Sequence, residues 1–157
     1  MHEQEIVRHQ QAAEASTSLA RARFEARVTK EMTAFLQGNH MTPISGRQYL
    51  TVAGATALAS ACGYSVREVG VVRVDIGGTG AWEATCEIVE RETGLVVGRG
   101  SGVVVDDERP WSSRPRFAQR AMASTRAAGR ALRLSLGHLF ALVGAQTCTA
   151  EEMPNDA

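Results

Sequence analysis

Lysine is nearly absent from this chain. Lys30 is the only one among 17 basic residues, and the other 16 are arginine. Aromatic residues make up only 5% of the 157 positions, so the core has to be aliphatic and alanine-rich. The three cysteines, Cys62, Cys86 and Cys148, are odd in number and far apart. That argues against a disulfide framework and for free thiols in a reducing compartment. No apolar run approaches the roughly 20 residues that span a bilayer. The opening MHEQEIVRHQ is polar and charged, unlike a secretory signal. The expectation is a cytoplasmic protein with no membrane partner, and the length fits one domain with room for a real core.

Several chemical signatures are also missing. The cluster Gly77-Gly78-Thr79-Gly80 is not followed by Gly-Lys-Ser/Thr and lies between two strand-like runs, so it is no phosphate loop. Gly98, Gly100 and Gly102 fall inside a strand pattern rather than between a strand and a helix, which excludes a dinucleotide fingerprint. No cysteine pair has metal spacing, and His2, His9, His40 and His138 are scattered. His138, in an apolar helical segment, reads as a packed or capping histidine. No nucleophile sits in a recognisable elbow. The carboxylates Asp106-Asp107-Glu108 read as solvated or paired with arginine rather than catalytic. No cofactor, no metal, no catalytic residue and no nucleotide-fuelled motor are expected.

What is present is a segregation of charge. Acidic residues also number 17, and the chain is formally neutral. Yet residues 109–150 hold seven arginines and no acid, so this stretch carries +7 and the remainder −7. A local field of that sign attracts a polyanion. Arginine's planar fork suits phosphate, which it grips at two points.

Read in order, residues 3–37 hold no Gly or Pro and predict one long helix, or two broken near Ser16-Thr17-Ser18. The apolar stripe improves through Phe24, Val28, Met32 and Phe35. The second half is thus expected to pack on the domain, and the more polar first half to be mobile or to contact another subunit. Gly38-Asn39 ends the helix, and Thr42-Pro43 to Gly46 reads as a loop. Residues 48–62 predict a small-residue helix stopped by Gly63. Runs 66–76, 81–90 and 95–105, joined by short Gly-containing turns, predict an antiparallel meander. In the second strand Trp82, Ala84, Cys86 and Ile88 take one face, and Glu83, Thr85, Glu87 and Val89 the other. The alternating Gly98, Gly100 and Gly102 leave bare backbone that a helix or a ligand must approach closely.

Residues 116–143 predict a long C-terminal helix, bent at Gly137. At 100° per residue, Arg116, Arg120, Arg126, Arg130 and Arg133 fall within an arc of roughly 140°. Phe117, Ala121, Ala128, Leu132, Leu136, Leu139 and Val143 lie opposite. Like charges recur at spacings of four and three without an intervening acid, which costs a few tenths of a kcal/mol per pair. Repulsion kept in this way points to a polyanionic partner; the local alternative is pairing with strand acids such as Glu83 and Glu87. Trp111 and Phe117 are expected in the core or at an interface. The fold class is therefore α+β: N-terminal helices, a three-stranded antiparallel meander and a long basic helix packed on it. Residues 1–37 form a helical extension, 40–148 the core and 149–157 an acidic, frayed tail.

The text within this order resembles a known family. Gln48-Tyr49-Leu50, followed by a small-residue helix ending Cys62-Gly63-Tyr64, looks like the start of the core in single-strand DNA annealing proteins, the superfamily of eukaryotic Rad-type annealing proteins and phage Erf and Red-beta recombinases. The run from Ala121 to Arg133, closing near Leu136-Gly137, resembles their helix of pattern A-x-T-x-A-x-x-R-A-L-R-x-x-x-G. Thr149-Ala150-Glu151-Glu152-Met153 resembles the end of that domain. The resemblance covers residues 40–153. It implies a β-β-β-α core, side-by-side association into rings or filaments, and a groove that holds single-stranded DNA by its backbone without ATP. It places Arg130 and Arg133 on phosphate and Thr125 in the same groove. The family often has lysine where this chain has Gly129, a departure that implies either weaker binding or compensation from Arg126. Arg47 is a weaker second contact, and Arg114, Arg116 and Arg120 extend the basic face.

The function expected is binding and annealing of single-stranded DNA by a homo-oligomer. Annealing needs affinity without base readout, so phosphate contacts should dominate over stacking on Tyr49, Tyr64, Trp82 or Trp111. One alternative is an accessory protein that coats strands without annealing them. Another is a small α+β enzyme on a phosphate-bearing substrate, which would need Glu83 or Glu87 to face an apolar pocket.

Overall fold

In the computed structural model, which describes residues 2–153, α1 (His2–Asn39) runs unbroken through Ser16-Thr17-Ser18. Its two halves differ as expected. From Arg21 onward one face is covered: Glu25, Thr29 and Leu36 are buried, and Val28 and Met32 pack against the core. Before Arg21, the side chains described are exposed. That half extends over roughly 28 Å at 1.5 Å per residue.

The stretch expected as a loop is a hairpin, β1 (Met41–Ile44) with β2 (Arg47–Leu50). Ser45 and Gly46 both have positive φ (49° and 77°), the left-handed pair whose twist matches antiparallel strands. Pro43 and the four-residue strands conceal this pairing in the sequence. Gln48-Tyr49-Leu50 therefore belongs to a strand, and α2 starts later than expected, at Val52, and runs to Ala61. The Thr51 hydroxyl caps it by accepting from Gly54 N–H at 3.1 Å.

The meander is β3 (Tyr64–Ile76), β4 (Thr79–Glu90) and β5 (Val96–Val105), antiparallel in that order. On it lies α3 (Arg116–Leu142). Ala84, Cys86 and Ile88 of β4 are buried on the helix side, as the alternation predicts. Their partners on β5 are Gly102, Gly100 and Gly98, and the element that approaches this bare stripe is α3. A Cβ at Gly98 would stand 2.7 Å from Ser135 Cβ, one at Gly100 2.9 Å from Ala131 Cα, and one at Gly102 2.5 Å from Ala123 O. The periods match: two strand residues advance roughly 6.6 Å and four helix residues about 6 Å. Ala123, Ala127 and Ala131, all fully buried, thus fall into step with alternate glycines.

Leu136 leaves helical geometry (φ −127°, ψ 16°), one residue before the expected bend. The buried stripe continues through Leu139, Phe140 and Val143. The start of α3 departs from expectation: Phe117 is 76% exposed and Ala121 is exposed, so neither is in the core. The buried positions there are Gln119, which donates to Trp111 O at 2.9 Å, and Ala123.

Residues 149–153 do not fray. Thr149 is fully buried, and Ala150–Glu152 form a 3-10 turn closed by a capping box between Thr149 and Glu152. The Glu151 carboxylate accepts from Val52 N–H at 3.0 and 2.9 Å, capping α2 from the far end of the chain. The last part of the expected tail, 154–157, lies outside the described residues.

One buried acid ties α1 to the body. Glu25 accepts from Arg21 Nε at 3.2 Å and Tyr64 Oη at 2.9 Å, and its other oxygen lies 3.1 Å from His138 Nε2. Burial pushes this carboxyl up, but the hydrogen bonds from His138, Tyr64 and Arg21 outweigh it and hold it below its ordinary value. Glu87, Asp106 and Glu108 are held low as well, by hydrogen bonds from Arg67 and Arg99, from Arg73, and from Arg126. A carboxyl lowered by folding stabilises the fold above the unfolded carboxylate range and loses that contribution as pH falls through its folded value. Urea midpoints should therefore be flat near neutrality and fall below about pH 4.5. Glu25→Gln should start lower at pH 7 and fall less on acidification. Parallel curves for the two proteins would mean that Glu25 contributes nothing to the acid limb.

Candidate nucleic-acid interface

The outer edge of β5, the loop that follows it and the arginine side of α3 enclose an open cleft of about 740 Å³. Its lining includes Ser101 and Val103 of the strand, Glu108 and Arg109 of the loop, Arg126 and Arg130 of the helix, and Glu152 and Met153 of the terminal turn. The helix registers on the glycine stripe, and that registration sets its arginine arc beside the strand edge.

The arginines play different parts. Arg130 is exposed, lines the cleft and has no acidic partner among the described residues. Arg126 is half-buried and tied down. Nη1 donates to Val103 O at 2.8 Å and to Glu108 at 2.9 Å, and Nη2 pairs with the same carboxylate. Arg126 thereby satisfies one carbonyl of β5. Arg133 lies 3.3 Å from Glu152 through Nε, yet that N–H has no aligned hydrogen-bond acceptor. Arg114, Arg116 and Arg120 are exposed and form no ion pair among the described residues. Arg116 also helps lower the Asp106 carboxyl, after the dominant hydrogen bond from Arg73.

The expected uncompensated arginine face is thus corrected at two positions, Arg126 and Arg133. The acids responsible, Glu108 and Glu152, are not the strand acids suggested by the sequence. Glu87 instead sits on the open face of the sheet between Arg67 and Arg99. It is buried beneath those two guanidinium groups, whose side chains are 58% and 66% exposed. The acidic loop pairs as expected: Asp106 receives both Arg73 Nη groups at 2.8 and 2.7 Å, and Glu108 receives Arg126.

Two further expected positions lie apart. Arg47 is exposed beside the β1–β2 turn, opposite Ile44, and lines neither cleft described. Thr125 donates to Ala121 O at 3.1 Å within its own helix and likewise lines neither. Gly129, the departure from the resembled pattern, is buried. A Cβ there would stand 2.6 Å from Thr149 Oγ1 and 3.2 Å from Val52 Cγ2, so the position is occupied by packing. Arg109 is a cleft residue that the sequence reading did not single out as a contact. A second cleft, about 310 Å³, shares Arg126 and Met153 with the first and adds Trp111, Met122, Thr42 and Thr51.

The aromatics offered for stacking are largely engaged elsewhere. Tyr49 is buried. Arg21 lies over the Tyr64 ring at 4.8 Å and Arg73 over Trp82 at 5.0 Å. Burial raises the Cys62 and Cys86 thiols to about 11, so neither is a nucleophile at neutral pH. Among the described residues no group of three or more His, Cys, Asp or Glu side chains is placed to hold a metal. No helix there is long and apolar enough to cross a membrane.

No protein-family model, curated protein or solved structure matches this chain.

Proposed function

We propose that this protein binds single-stranded DNA along the α3–β5 cleft and, as a homo-oligomer, anneals complementary strands without a nucleotide cofactor. The observation that carries the reading is Arg130, an exposed guanidinium in an open cleft with no acidic partner among the described residues. Arg109 shares that cleft, and Arg116 and Arg120 continue the exposed basic row along the same helix. A row of guanidinium groups beside a strand edge suits a phosphodiester backbone. The engaged aromatics favour holding the backbone over stacking the bases. The element order, a meander followed by a basic helix packed on it, agrees with the β-β-β-α core of the family that the sequence resembles. A single cleft would contact few nucleotides, and repetition around an oligomer would convert weak contacts into avidity.

Dye-labelled complementary oligonucleotides provide the test. The protein should accelerate their pairing several-fold at low salt in the absence of nucleotide. Binding without acceleration would leave a coating protein. The enzyme reading required an apolar pocket beside Glu83 or Glu87, and neither residue lines the two clefts described.

A further inference from the structure

Two carboxylates stand where phosphates are proposed to bind, and they are held differently. Glu108 grips Arg126 with both oxygens, and Arg126 is also anchored to the β5 backbone. That arrangement is structural. Glu152 meets Arg133 only off-axis, at 3.3 Å, and leaves the buried Nε–H without an aligned acceptor. Arg133 itself does not line the cleft, whereas Glu152 and its neighbour Met153 do. The turn carrying them is fixed at its base by the buried Thr149, which fits against Gly129. Beyond that base two carboxylates tie it down, Glu151 on Val52 N–H and Glu152 on Thr149 N–H, both at 2.9 Å, beside the turn's own backbone bonds from Glu152 N–H to Thr149 O and Met153 N–H to Ala150 O, each 3.2 Å.

We propose that the Ala150–Met153 turn is an internal phosphate mimic, in which Glu152 occupies Arg133 until a backbone phosphate of single-stranded nucleic acid displaces it. This inference rests on the cleft being the strand-binding site. Both ligands are oxyanions, and a phosphate offers Arg133 better two-point geometry than Glu152 does. Displacement swings the turn about Thr149, removes the Glu152–Met153 wall of the cleft and adds Arg133 to the row begun by Arg130. The turn thereby sets a threshold: short or weakly charged anions do not open it, whereas a strand already held at Arg130 does.

Glu152→Gln tests this cleanly, because glutamine keeps the capping-box acceptor for Thr149 and loses the charge. Binding of a fluorescent single-stranded oligonucleotide should tighten roughly two- to fivefold at moderate salt, the value of one partly exposed ion pair. The log–log salt slope should steepen by about 0.7, one additional phosphate contact. Hydrogen exchange supplies a readout on the unmodified protein: saturating oligonucleotide should speed exchange at the Thr149 and Val52 amides, whose acceptors are Glu152 and Glu151. Unchanged affinity and slope in Glu152→Gln, with Arg130→Ala still weakening binding, would overturn the mimic and leave the binding site standing. Protection rather than exposure of those amides on binding would overturn it too. If neither the unmodified protein nor Glu152→Gln binds the strand at low salt, the mimic and the binding site fall together.

Discussion

Gly102→Val should lose more than about 3 kcal/mol of stability, at or beyond the top of the roughly 1–3 kcal/mol that overpacking ordinarily costs and a large share of the roughly 5–15 that domains hold. The reason is that the new Cβ meets backbone, which cannot turn aside: Ala123 O would lie 2.5 Å away. Either α3 lifts from the sheet along its whole seam or the strand bends away from Ala84, its partner on β4. Gly70, at the bulge in β3, provides the internal comparison, because nothing lies within 4 Å of a Cβ there. Gly70→Val should change stability by less than about 0.5 kcal/mol. Urea denaturation of the two variants decides the matter. Equal midpoints would mean that the helix does not rest on the glycine stripe, and the cleft that depends on this seating would lose its basis.

The second large effect is on binding. Arg130→Ala with Arg133→Ala should weaken single-stranded DNA binding about 10- to 100-fold, two phosphate contacts at roughly 1 kcal/mol or a little more each. The loss should be similar for every base composition, and the log–log salt slope should fall by about 1.4. Arg130 is exposed and Arg133, half-buried, has Glu152 as its one ion-pair partner among the described residues, so the double variant should remain folded. A folded double variant with unchanged affinity would remove α3 from the binding site.

Much of this organisation is written locally. The meander follows from alternation in β4 and from glycine turns; the strand pairing is as expected, although Glu87 and Val89 on the other face of β4 are buried as well. The stripe Gly98-Gly100-Gly102 required a close neighbour, but the sequence left its identity open between helix and ligand. The answer was present in the four-residue spacing of Ala123, Ala127 and Ala131, because only a helix keeps step with alternate strand residues at that spacing. The hairpin at Met41–Leu50 was hidden because Pro43 interrupts its pattern and each strand has only four residues. The start of α3 misled for a different reason. The sequence places Phe117 on the apolar side, yet it is left exposed.

That the acidic loop would pair with arginine was legible, but not which arginines the acids would meet. Glu108 and Glu152 meet Arg126 and Arg133 only because the fold closes a loop and a terminal turn around the helix. No helical spacing encodes such contacts, so charge counting along the chain overstated the free positive face. Glu25 did leave a trace, as an acid three residues before Val28 and seven before Met32 on the same stripe, the signature of a carboxylate carried into a core with its partners. Its partners, Tyr64 and His138, come from β3 and α3 and could not be named in advance.

An arginine row on α3, seated beside the β5 edge, is proposed to hold a nucleic-acid backbone. Binding of a fluorescent single-stranded oligonucleotide by the unmodified protein, followed by anisotropy across a salt series, tests it most directly. Tight binding at low salt is expected, weakening linearly in log–log form with a slope of several contacts, at roughly 0.7 per phosphate. Absence of binding at low salt, or binding insensitive to salt, would contradict it.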